Sequence, residues 1–128
     1  MDVVIVDDDA VVLFLHKILI QKTFHSGCLH DFDNAEEALQ YILHRTDKNQ
    51  PLLVLLDINM PGMTGWHFLE ELQENAFEEN IHVVMVTSSI NYSDRKKAEQ
   101  FPLVMDFLEK PLSRQACAKL YEQLTRKS

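Results

Sequence analysis

Val3-Val4-Ile5-Val6-Asp7-Asp8-Asp9 opens the chain with four apolar residues that run straight into three acids. The pattern returns in Leu52-Leu53-Val54-Leu55-Leu56, which ends in Asp57. Carboxylates at the exits of two buried strands are costly unless something binds there. Val83-Val84-Met85-Val86 likewise stops at Thr87-Ser88, and Leu103-Val104-Met105-Asp106-Phe107-Leu108 runs into Glu109-Lys110-Pro111. In an open α/β sheet the carboxyl ends of parallel strands share one edge, and ligands bind in the crevice outside it. The acids, hydroxyls and lysine are therefore expected to meet.

Between these runs the spacing predicts helices. Val11, Phe14, Leu15 and Ile18 give an i, i+3, i+4, i+7 stripe over residues 10–21. Asn34 is a predicted N-cap with Glu37 three residues on, ahead of Ala35, Ala38, Leu39 and Ile42. A weak strand is expected over residues 28–32. Met60-Pro61-Gly62-Met63-Thr64-Gly65 is a loop rich in helix breakers, followed by Trp66, Leu69 and Leu72 on a third helix. A short polar helix over residues 91–100 and a last one carrying Cys117, Leu120, Tyr121 and Leu124 complete five βα units. Apolar strands alternating with amphipathic helices predict a parallel sheet covered on both faces, with right-handed crossovers.

The chain has 128 residues, an ordinary single-domain size, and the five units account for all of them, so one domain over 1–128 with no output domain is expected. Its net charge of −8, from 12 Lys+Arg against 20 Asp+Glu, argues against a nucleic-acid footprint, which needs a basic face. Proteins and metal ions are the expected partners. No apolar run approaches the roughly 18 residues of a membrane span, and no signal sequence precedes the first strand, so neither a membrane nor export is expected. Cys28 and Cys117 are too few for a disulfide scaffold and are read as reduced core or near-core residues, in keeping with a cytoplasmic location.

With these residues in this order, the sequence resembles the receiver domain of two-component response regulators over essentially its whole length. The resemblance rests on Val6-Asp7-Asp8 after the first strand, Asp57 with the 60–65 loop after the third, Thr87 after the fourth and Lys110-Pro111 after the fifth. It implies a flavodoxin-like (βα)5 three-layer sandwich with parallel sheet order 2-1-3-4-5. It further implies that Asp57 is the phosphoacceptor, with Asp7, Asp8, Asp57 and the Asn59 carbonyl forming a Mg2+ site. Asp8 would bind the metal directly and Asp7 through water. Thr87 would hydrogen-bond the phosphoryl group, Lys110 would pair with it or with Asp57, Thr87 and Phe107 would form a switch, and Asn59 and Ser89 would tune dephosphorylation. A cis Lys110-Pro111 bond is implied too, against a base rate of about 5 to 6%. Ser88 stands where the family usually has alanine, and the bulky Trp66 follows Gly65.

The chemistry is coherent on its own terms. Magnesium takes about six oxygen ligands and keeps several waters, which suits a few carboxylates plus phosphate. Phosphoryl transfer asks mainly for positioning and charge stabilisation. An aspartyl phosphate would then be the output signal. The expected donor is a phosphohistidine of a histidine kinase or histidine phosphotransfer protein, and the expected receiver of the signal is a downstream protein acting in trans. Two rival readings use the same residues: an Asp-nucleophile, Mg2+-dependent phosphatase, and a phosphorylation-independent interaction module. The haloacid-dehalogenase pattern would place an acid two residues beyond the nucleophile, where this chain has Asn59.

Simpler roles suffice elsewhere. Asp9 is read as a helix cap, and Ser88 as a strand terminus. Gly62 and Gly65 are read as loop-geometry residues, and Trp66, Met60 and Met63 as packing. Residues 70–79 are read as an acidic solvated face. The six histidines show no ligand spacing near the acids and receive no catalytic role.

Overall fold

The computed structural model describes residues 1–24, 27–76 and 80–126; His25, Glu78 and Glu79 lie outside them. Elements alternate strictly: β1 (Asp2–Val6), α1 (Ala10–Thr23), β2 (Leu29–Phe32), α2 (Ala35–Leu43), β3 (Leu52–Asp57), α3 (Gly65–Ala76), β4 (Ile81–Thr87), α4 (Tyr92–Ala98), β5 (Val104–Glu109) and α5 (Arg114–Arg126). All pairings are parallel and the strand order is β2-β1-β3-β4-β5. The expected sandwich is thus the observed one.

The central strands are apolar at consecutive positions because both faces of the sheet are covered. Val4, Val6, Val54, Leu56, Val83 and Met85 face a cluster completed by Ala38, Ile42, Phe68, Leu69 and Leu72 of α2 and α3. Their alternates Val3, Ile5, Leu53, Leu55, Val84 and Val86 face Leu13, Ile20, Cys117, Leu120 and Leu124 of α1 and α5. Each fully buried side chain of this size contributes about 1.5 to 3 kcal/mol relative to exposure. The sheet is therefore a rigid platform for whatever its edge carries.

Local signals explain the helix starts. Asn34 accepts from the Glu37 amide at 2.8 Å, and Asn91 accepts from the Asp94 amide at 2.8 Å. Asp9 accepts from Val11 and Val12 at 2.9 and 3.3 Å, which makes it the N-cap of α1. The predicted stripe of α2 is buried at all four positions.

Two expectations are corrected. The inward face of α1 is Leu13, His16 and Ile20, while Val11, Phe14 and Leu15 are 67%, 63% and 42% exposed. Residues 11–15 are apolar without a break, so an apolar stripe can be drawn in more than one phase. The Asp9 cap and the packing against α5 decide between the phases. Cys28 is exposed beside the first residues of β1, its amide bonded to the Asp2 carboxylate, whereas Cys117 is buried as expected.

Candidate functional site

The four strand exits converge. Asp57, the last residue of β3, is 3% exposed, and Asp7, one residue past β1, is 2% exposed. Asp8 beside them faces solvent. One carboxylate oxygen from each of Asp7, Asp8 and Asp57 lies within 4.8 Å of the others. The Lys110 Nζ reaches in from the far side, 3.0 Å from Asp7 Oδ2 and 3.3 Å from Asp57 Oδ2.

The two contacts differ in kind. Lys110 donates a hydrogen bond to Asp7 Oδ2, whereas Asp57 Oδ2 sits at ion-pair distance without a well-aligned donor. The other Asp7 oxygen accepts from the Asp9 amide at 2.9 Å, and Asp57 Oδ1 accepts from the Asn59 amide at 3.3 Å. Burial, reinforced by the negative Asp7, pushes Asp57 up to about 6 despite Lys110. Among the described residues no hydrogen bond engages the Asp8 carboxylate. A buried acceptor atom that is ion-paired but not hydrogen-bonded, beside an open carboxylate, fits a hard cation with oxygen ligands.

The backbone accounts for this placement. The Lys110-Pro111 bond is cis, and the Lys110 amide donates to the Thr87 carbonyl at 2.8 Å. Gly65 is obligatory: a Cβ there would lie 2.7 Å from the Asp57 carbonyl oxygen and 2.9 Å from Ile58 Cα. Gly62 has φ +79°, a conformation that disfavours side chains. Met60 is buried and Met63 packs against the core, as the packing reading holds. Trp66 stacks on Phe101 at 6.2 Å and lies under the Lys97 Nζ at 4.7 Å, which joins the start of α3 to α4.

With this geometry in view, the sequence matches the response regulator receiver domain over residues 3–122. This chain belongs to the receiver domain family. Two solved structures are similar along nearly the whole chain. A response regulator receiver protein from Dyadobacter fermentans is 29% identical, with TM-score 0.82, covering 98% of this chain and 96% of its own. A two-component response regulator from Cytophaga hutchinsonii is 26% identical, with TM-score 0.85 and the same coverages. Among curated relatives, the probable C4-dicarboxylate response regulator DctR of Halalkalibacterium halodurans is 27% identical over 128 residues. The chain spans 53% of that relative's length, and 27% and 29% of two others.

As a receiver, the chain belongs to phosphorylation-dependent two-component signalling, a sensor kinase or phosphotransfer protein is implied as partner, and receivers bind Mg2+ at such an acidic pocket. No helix among the described residues is long and apolar enough to cross a membrane. The remaining expected residues lie on β4 and β5 or just past the ends of β3 and β4. Thr87 is 2% exposed at the end of β4 and its Oγ1 donates to the Ser89 carbonyl at 3.2 Å. Asn59, Ser88 and Ser89 are exposed. Phe107 is 4% exposed and packs into the cluster with Met85 and Ala98, so its ring occupies the inward position in this structure.

His16 is one of the six histidines to which the sequence assigns no role. It is 1% exposed, and its Nε2 accepts from the Leu112 amide at 3.0 Å. Only the inward phase of α1 marks it, and that phase was not legible from the apolar pattern.

Proposed function

We propose that this chain is a magnesium-dependent phosphorylation switch whose Asp57 accepts a phosphoryl group from a phosphohistidine and passes the signal to a partner protein in trans. The observation that carries this reading is the Asp57 Oδ2 atom, buried, unbonded and 3.3 Å from an ammonium, with two further carboxylates alongside. An ionised Asp57 oxygen attacks phosphorus in line, and the bond from phosphorus to the donor imidazole breaks with its electron pair going to nitrogen. Lys110 then leaves its bond to Asp7 for a phosphoryl oxygen. Thr87 Oγ1 exchanges the Ser89 carbonyl for another.

Asp8, Asp7, Asp57 and the Asn59 carbonyl would hold magnesium. Bound there, it supplies positive charge against the phosphoryl oxygens. Asn59 and Ser89, both exposed, would affect water approaching the acyl phosphate. A phosphoryl charge of about −1.5 to −2 drawing Thr87 inward would be read out beyond the pocket, on the surface of α4, β5 and α5. That surface includes a groove of about 570 Å3 lined by Asp106, Leu108, Ser113 and Lys119 among others.

A protein donor, as opposed to a small phosphate ester alone, is supported by the apolar outer face of α1. Val11 and Phe14 stand on the helix that Asp9 caps, immediately beside Asp7 and Asp8. A donor protein that brings its imidazole to Asp57 would rest on this face. Wild type incubated with a small phosphodonor is expected to gain one hydroxylamine-labile phosphoryl group, with magnesium and not with a chelator. Phe14→Glu is expected to keep that labelling within about twofold. Its transfer from a phosphorylated histidine phosphotransfer protein that labels the wild type should slow at least tenfold, since a charge now faces an apolar contact. Equal slowing with both donors would contradict docking on α1, and labelling independent of magnesium would contradict the reaction.

A further inference from the structure

The segment Lys110-Pro111-Leu112 owns two backbone donors, because proline has no N–H. One is the Lys110 amide on the Thr87 carbonyl. The other, on Leu112, donates to His16 Nε2 at 3.0 Å in a buried bond between residues 96 apart in sequence. Leu112 is 4% exposed, so without that acceptor its amide would be left unbonded among apolar side chains. An imidazole nitrogen that accepts carries no proton, so the ring is neutral with its proton on Nδ1. Burial favours that form, Lys110 acts in the same sense, and Asp7 opposes it.

The surroundings make a bare filler role inadequate. Leu13 and Ile20, which share the inward face of α1, fill their places with hydrocarbon. His16 alone among the three ties the helix to the segment that carries Lys110. That segment is therefore held at three points: Thr87 on its entering strand side, Asp7 at the ammonium, and His16 on the side leading to α5.

We propose that His16 is a positioning residue for phosphoryl transfer: by accepting from the Leu112 amide it fixes the backbone that presents Lys110 Nζ to Asp57. This rests on the reading of Lys110 as a phosphoryl-binding group. A displacement of the order of 1 Å in such a group can slow a reaction by about a hundredfold. His16→Leu keeps the volume roughly and removes the acceptor, whereas His16→Gln returns an oxygen at a similar reach.

The test measures magnesium-dependent phosphorylation by acetyl phosphate in the whole chain, as single variants and combined with Lys110→Ala. His16→Leu is expected to slow the reaction on the order of ten- to a hundredfold, and His16→Gln to recover most of the loss. In the Lys110→Ala background, His16→Leu should add less than about twofold, because the group it positions is gone. If His16→Leu fails to fold, His16→Asn, whose shorter amide falls short of Leu112, carries the same expectation. A folded His16→Leu protein as fast as wild type overturns the proposal. So does an equal loss in both backgrounds, which would assign His16 to general stability. An unchanged rate in Lys110→Ala alone would instead remove the role of Lys110 and, with it, anything for His16 to position. Independently of activity, NMR should detect a coupling across the hydrogen bond between the Leu112 amide nitrogen and His16 Nε2, and its absence counts against the bond itself.

Discussion

Asp8→Ala is expected to weaken magnesium binding by more than the roughly 10- to 100-fold that loss of an outer-shell partner costs, with phosphorylation at low magnesium falling in step. Both oxygens of Asp7 are already engaged, one by the Asp9 amide and one by Lys110. Asp57 must keep an oxygen for the phosphoryl group. Asp8 is exposed at the pocket mouth with its carboxylate open among the described residues, so it is the acid best able to contribute a direct ligand. Asp9→Ala, one position on, removes only an N-cap, and its cost is about 0.5 to 2 kcal/mol of stability. Magnesium titrations followed by calorimetry, with a denaturation curve for each variant, separate the two. Matching titrations for Asp8→Ala and Asp9→Ala would refute the assignment.

Asp57→Asn should make the metal-free protein more stable near neutral pH. Burial first, and Asp7 second, hold the Asp57 carboxyl at about 6, against an ordinary value of 3.8. Because the folded value lies above the unfolded one, the native state takes up this proton first as pH falls, and the ionised group lowers stability above about pH 6. An amide removes that charge. The gain is on the order of 1 to 3 kcal/mol, or several degrees in Tm for a domain of this size. It should be fully present above about pH 6 and fade between about pH 6 and pH 4, where the wild-type carboxyl is itself neutral. Thermal melts of both proteins with chelator, at several pH values, check this. Destabilisation at pH 8, or a gain unchanged at pH 4, would contradict it. Magnesium should raise the wild-type Tm more than that of the variant, because its binding to the native state is the larger.

Much of this architecture is written into the chain as strand exits. Asp7, Asp57, Thr87 and Lys110 each follow an apolar run, and a parallel sheet brings those ends to one edge whatever the helices do. The helices were less legible. α2 has one narrow stripe of Ala35, Ala38, Leu39 and Ile42 and could face the core only one way. In α1 the unbroken apolar stretch conceals the inward phase, which is settled by contacts with α5 that no local spacing encodes. For the same reason His16 was set aside as a scattered histidine, since its partner Leu112 is distant in sequence. β2, at the sheet edge and only partly buried, carries the weakest apolar signal of the five strands. The exposure of Cys28 follows from its place just outside that strand.

The most direct test of Asp57 as phosphoacceptor is to map the modified residue. The chain is incubated with acetyl phosphate and magnesium, treated with borohydride to reduce any acyl phosphate to the alcohol, digested and analysed by mass spectrometry. The expected result is a single homoserine at position 57, dependent on magnesium, and no such product in Asp57→Asn. Reduction at another carboxylate in the wild type, or phosphorylation of Asp57→Asn at the wild-type level, would show that Asp57 is not the phosphoacceptor.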